Sequence, residues 1–123
     1  LMTLRDGVAS GWKGIVPGGD ATVIESIAFE IDSDPVVHNA VEFSSAARGR
    51  PLQTPANEHL WSALQLQAPA ELIAVAAHLG SRPVAVVLAF SDSPEDDDVL
   101  SAVEELANGL SRNFERLLRA AER

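Results

Sequence analysis

The chain contains no cysteine, which removes disulfides, thiolate metal centres, cysteine nucleophiles and thioether-linked chromophores at one stroke. Basic residues are scarce. Nine Lys plus Arg stand against 18 Asp plus Glu, for a formal net charge of −9. A surface of that sign repels phosphate backbones, so nucleic acid is not an expected partner. The opening residues LMTLRDGVAS carry no basic segment followed by an apolar stretch, so no export signal is read there, and a cytoplasmic setting is expected. With 123 residues, 46% apolar and 22% charged, the composition is that of one globular domain spanning residues 1–123.

The chain also lacks an apolar run able to cross a bilayer, although one stretch approaches the length. Residues 71–90 read ELIAVAAHLGSRPVAVVLAF. A membrane helix needs about 20 apolar residues. Here Arg82 would sit near the bilayer centre at a cost of about 3 kcal/mol, and Pro83 would lack its helical hydrogen bond. The stretch divides instead into two β segments, Leu72–Leu79 and Pro83–Phe90, joined by a turn at Gly80-Ser81-Arg82. Alternation puts Ile73, Val75, Ala77 and Leu79 on one face of the first and Leu72, Ala74, Ala76 and His78 on the other. In the second, Val84, Val86, Leu88 and Phe90 oppose Ala85, Val87 and Ala89. With both faces apolar, these are expected to be interior strands covered on two sides, by helices.

Upstream, Leu1–Leu4, an Asp6-Gly7 turn and Val8–Val16 suggest another hairpin. Residues Thr22–Ile31 alternate and predict a third strand region. Three helices are announced by a capping side chain followed by proline: Asp34-Pro35, Thr54-Pro55 and Ser93-Pro94. The first is expected to run toward Gly49, with Ala46–Gln53 as an extended loop, and the second to bury Leu60, Trp61 and Leu64. The third is the longest. Acidic residues Glu95–Asp98 crowd its start and Arg112, Arg116, Arg119 and Arg123 its end, matching the helix dipole. Its stripe of Val103, Leu106, Leu110, Phe114 and Leu117 reads as domain core, or as core plus a surface for a partner protein or a second copy.

Sites that carry chemistry are few. His38, His59 and His78 lie on separate elements without the spacing of a helical zinc pair, so no metal centre is expected. Ser44-Ser45 and Ser62 come without a nucleophile elbow, and no catalytic residue is assigned. The cluster Glu95–Asp98 lacks the spaced oxygens of a calcium loop, and Pro17-Gly18-Gly19-Asp20 lacks the lysine of a phosphate loop. Arg48 and Arg50 are either anion-facing groups over a pocket or a solvated loop. The glycines of GWKG, Gly11 and Gly14, either line a cavity or serve core packing around Trp12. No cofactor is implied.

Three stretches, VASGWKGIV, DPVVHNAVEFSSAARGRPL and HLGSRPVAVVLAFSDSPEDDDVLSAVEELANGL, come in an order of elements that resembles the GAF domain of bacterial signalling proteins. The resemblance implies an α+β fold with a central antiparallel five-stranded sheet of order 2-1-5-4-3, helices on both faces and a long C-terminal helix. Family members start with a helix packed beside the last one. Here the first strand comes first, so the expectation is either a GAF-like domain lacking its N-terminal helix or a departure from the family at this end, and a missing helix implies a helix face open to a partner. Without cysteine, and without a recognisable NKFDE signature, the bilin-binding, sulfoxide-reducing and cyclic-nucleotide branches are set aside. What remains implied is a non-catalytic regulatory domain of a signal-transduction protein, sensing a small molecule or relaying signals through its helices. The alternative is an interaction or homodimerisation module with no ligand. The ligand pocket implied by the resemblance is bordered by Trp12, Phe29, Val41, Phe43, Leu60 and Trp61.

Overall fold

The structure is a computed structural model; it describes residues 1–14, 21–43, 46–51, 53–64, 69–80, 82–91 and 97–121. Six strands form one antiparallel sheet: β1 (Met2–Arg5), β2 (Val8–Gly11), β3 (Ala28–Glu30), β4 (Ala46–Gly49), β5 (Glu71–Leu79) and β6 (Arg82–Ser91). Their spatial order is β3-β2-β1-β6-β5-β4. Three α-helices complete the fold, α1 (Pro35–Glu42), α2 (Pro55–Ala63) and α3 (Asp97–Ala121), together with 3₁₀ turns at Ala21–Ser26 and Ile31–Ser33.

The apolar run at residues 71–90 folds back as expected. Strands β5 and β6 pair antiparallel along their length, and Gly80 supplies the positive φ of 66° at the turn, a conformation that costs glycine nothing. Both strands are interior to the sheet. Leu72, Ala74 and Val86 point to the side of α1 and α2, where they meet Val36, Val37, Ala40, Leu60, Trp61 and Leu64. Ile73, Val75 and Val87 point to the opposite side and pack against Val103 and Ala107 of α3. The period-two pattern therefore assigned both faces correctly over residues 72–75 and 86–90, while a register shift between Ala77 and His78 interrupts the alternation at the end of β5. The N-terminal hairpin also forms, with Asp6 and Gly7 both at positive φ (53° and 79°), as a two-residue turn of the primed type requires. Its second strand, expected to run toward Val16, ends at Gly11 and does not continue through residues 12–14.

Two expectations are corrected. Residues Thr22–Ile31 do not make one strand, because Ala21–Ser26 winds as a 3₁₀ helix and only Ala28–Glu30 is extended. Ile24 and Ile27 are both buried. Ile27 directly follows the turn and its N–H donates to the Ile24 carbonyl at 3.1 Å, the three-residue spacing of a 3₁₀ helix that sets both on one side, whereas a strand would throw them to opposite faces. The short strand β3 then pairs with β2, not beside β5. That position belongs to Ala46–Gly49, expected to lie in the first helix and the loop after it, which pairs with β5 as β4. The sheet accordingly has six strands, not five, and the order 2-1-5-4-3 is not the one observed. The physical reason is the exposed ladder β5 would otherwise present. Ala47 alternates inward onto the core, and Arg48 on the other face reaches Glu71 of the neighbouring strand.

The helix starts read from the sequence hold where they are described. Asp34 caps α1 by accepting from the Val36 N–H at 2.8 Å, and Thr54 caps α2 by accepting from the Asn57 N–H at 3.1 Å. The cap at Ser93-Pro94, together with Glu95 and Asp96, lies outside the described residues. The helix α3 runs for 25 residues, about 37 Å at 1.5 Å per residue.

Candidate functional site: the long helix and its surroundings

The polar anchors of the fold come first, because they determine which side chains are left for other work. Asp34 is fully buried; beside its cap bond, its second oxygen accepts from Asn57 Nδ2 at 2.7 Å. Asn57 is itself buried, so one carboxylate ties the starts of α1 and α2 together across an apolar interior. Paired this way, a buried polar group holds a single arrangement of its neighbours, and unpaired it is costly. On the opposite face Arg48 donates from both Nε (3.0 Å) and Nη2 (2.7 Å) to Glu71 Oε1. The Glu71 side chain is 7% exposed and that of Arg48 25%. The guanidinium proposed to face an anion thus faces a carboxylate of its own chain, while Arg50 is exposed after β4.

Of the six residues expected to border a pocket, Leu60 and Trp61 are buried in the core shared by α1, α2 and the sheet, and Phe29 and Val41 pack against the same cluster. Trp61 meets Phe90 edge to face, ring centroids 5.2 Å apart. Trp12 (46% exposed) and Phe43 (67% exposed) stand on the surface instead. The structure brings four of the six together as packing and leaves two outside it. The glycines of GWKG find a different use from lining a cavity. A Cβ at Gly11 would overlap the carbonyl oxygen of Ile24, and one at Gly14 would come within 2.7 Å of the Ile24 side chain. The 3₁₀ turn lies directly on these positions, and Gly11 N–H donates to the Ile27 carbonyl at 2.8 Å.

The three histidines lie on three different elements, α1, α2 and β5. His38 on α1 is held between two carboxylates, Nδ1 to Asp32 at 2.6 Å and Nε2 to Glu42 at 2.6 Å. The hydrogen bond to Asp32 leads in raising its pKa, with the negative charges of Glu42 and Asp32 adding to it. His59 is exposed on α2. His78 sits where the β5–β6 register shifts, and its Nε2 is buried without a hydrogen-bond partner among the described residues. No group of three or more His, Asp or Glu suited to a metal ion occurs among the described residues. Ser62 is exposed on α2, and Ser44-Ser45 lies outside the described residues, as does Pro17-Gly18-Gly19-Asp20.

Three of the five large apolar side chains exposed among the described residues belong to α3. Val103 and Ala107 are buried and Val99, Leu100 and Leu110 half-buried against the sheet. At Ser111 the helix is latched. Its Oγ accepts from the His78 N–H at 2.8 Å, where the bulge takes that group out of the ladder, and donates to the Ala107 carbonyl at 3.1 Å. Beyond this latch the helix continues to Ala121 with Phe114 half-buried and nearly everything else in solvent. Leu106, Leu117 and Leu118 are 55%, 64% and 44% exposed. Of the stripe assigned from sequence, Val103 and Leu110 face the core, Phe114 lies at its margin, and Leu106 and Leu117 face water. An open depression of about 430 Å³ beside the last turns is lined by Arg112, Glu115, Arg116, Arg119 and Ala120. No helix among the described residues is long and apolar enough to cross a membrane.

No family model, no curated protein and no solved structure matches the chain.

Proposed function

We propose that the chain is a non-catalytic regulatory domain of a bacterial signal-transduction protein, of the GAF-like kind, which relays signals through its long helix in the cytoplasm. One observation carries this reading: α3 is amphipathic over a width the sheet does not cover, so that Leu106 and Leu117 remain more than half exposed. A helix that only roofed a core would end its apolar stripe where the sheet ends. The latch at Ser111 supports the same reading, since it couples the middle of the helix to the end of β5. A contact made on the exposed stripe would therefore bear on the sheet.

Sensing of a small molecule receives less support, because Leu60, Trp61, Phe29 and Val41 pack on one another's cluster and Trp12 and Phe43 stand outside it. The lack of catalysis is supported by the dispersal of His38, His59 and His78 over α1, α2 and β5. Native mass spectrometry of the protein purified without denaturation separates the readings. A helix relay predicts the bare 13.0 kDa chain and its multiples. A retained organic molecule would replace the relay with sensing.

A further inference from the structure

We propose that the occupant of the exposed stripe on α3 is a second copy of this chain, laid antiparallel to the first about a two-fold axis beside Ser111. The inference rests on the reading of α3 as an interaction surface and names the partner. The residues that face water along the apolar edge of α3 are Ala102, Leu106, Gly109, Asn113, Leu117 and Ala120, exposed but for the half-buried Gly109. They recur at three- and four-residue spacing, the seam along which two helices pack. Their order is close to a palindrome. Turned end for end about residue 111, Ala102 falls on Ala120, Leu106 within a residue of Leu117, and Gly109 on Asn113. A two-fold contact requires a surface complementary to itself, and an unrelated partner would impose no such symmetry.

Charge sets the direction. The first half of α3 carries Asp97, Asp98, Glu104 and Glu105, and the second half carries Arg112, Arg116 and Arg119, with Glu115 the only acid among them up to Ala121. Antiparallel pairing sets Glu105 of one copy beside Arg116 and Arg119 of the other. Parallel pairing sets acid on acid and base on base. Gly109 adds an independent point. Glycine is unfavourable inside a helix, and the nearest atom among the described residues that a Cβ would meet there is Arg112 Nη2 at 3.9 Å, so nothing among them requires the missing side chain. A close approach of the second helix, with Asn113 opposite, does require it.

From Ala102 to Ala120 the contact is about 27 Å long and about 10 Å wide, below the share of a standard stable interface. The dimer is therefore weak and forms at micromolar concentrations and above. Sedimentation equilibrium from about 5 to 500 µM should show the mass rising from 13.0 kDa toward twice that value, less readily at high salt. Leu106→Glu with Leu117→Glu should hold the protein at the monomer mass, with circular dichroism confirming that these exposed changes leave the fold intact. Because the chain has no cysteine, Ser101→Cys and Arg112→Cys each accept one spin label. The antiparallel arrangement predicts labels separated by about 30 Å along the axis at position 101 and close together at position 112. Equal short distances at both positions, a dimer indifferent to the double glutamate variant, or a strict monomer at every concentration would each overturn the proposal. A strict monomer with no retained small molecule leaves the relay reading intact, whereas a retained ligand removes that reading itself.

Discussion

On the side of the sheet facing α1 and α2, side chains from all six strands and both helices close over one another, and the buried Asp34 and Asn57 satisfy each other within that layer. On the other side α3 covers β5 and β6 and leaves Thr3, Ser10 and Ala28 of β1–β3 in solvent. The first face is built to hold the chain in one arrangement. The second is covered in part, by a helix that keeps large apolar residues in water. Stability and surface chemistry are thus divided between the two faces, and substitutions of the same kind should have unequal effects on them.

The sharpest contrast is between Trp61 and Leu106. Trp61→Ala empties a site packed against Phe90 and should lower unfolding free energy by about 4 kcal/mol, read by chemical denaturation. Leu106→Ala on the other face should change it by no more than about 0.5 kcal/mol. Equal losses would dissolve the distinction. Next in size is Asp34→Ala, which removes the cap of α1 and leaves the Asn57 amide buried without that acceptor. A loss of about 3 kcal/mol is expected, and a loss below 1 kcal/mol would mean that water reaches the site. Gly11→Ala forces a methyl group onto the Ile24 carbonyl. It should cost about 2 kcal/mol, and a neutral result would show that the 3₁₀ turn can lift from β2.

The smallest expected effect concerns His38. Its hydrogen bond to Asp32, assisted by the charges of Glu42 and Asp32, raises its pKa above the ordinary 6.5. A group whose pKa is higher in the folded state contributes stability that is complete below the unfolded value and is lost as pH rises through the folded one. Thermal unfolding should therefore move to slightly lower temperature between pH 6 and pH 9, and His38→Gln should flatten that slope. An NMR titration placing the His38 midpoint at or below about 6.5 would remove the cause.

What the sequence revealed follows from the same division. Both faces of β5 and β6 were legible because alternation is a local property and the two strands are apolar on each side. The caps at Asp34-Pro35 and Thr54-Pro55 were legible because each is a dipeptide with its own geometry. The strand at Ala46–Gly49 was not, since a run of two alanines, arginine and glycine has no strand preference of its own. It is extended because β5 has an edge to fill, a fact about distant residues. Likewise the 3₁₀ turn at Ala21–Ser26 depends on contact with Gly11, and only the pairing of a glycine with an isoleucine three residues before another could have hinted at it. Among site residues, the partner of Arg48 was out of reach, because Glu71 lies 23 positions away. The exposed edge of α3 was half legible. Sequence showed the width of its stripe, but how much of it the sheet would cover depended on where Ser111 is latched.

The strands at the two margins of the sheet are short, β3 with three residues and β4 with four. Stubs of that size offer a neighbouring molecule too little backbone to zip onto, so open-ended growth of the sheet into fibres is discouraged at both ends. Helix pairing about a two-fold axis closes after two chains. Two chains paired in this way can gather at high local concentration without polymerising.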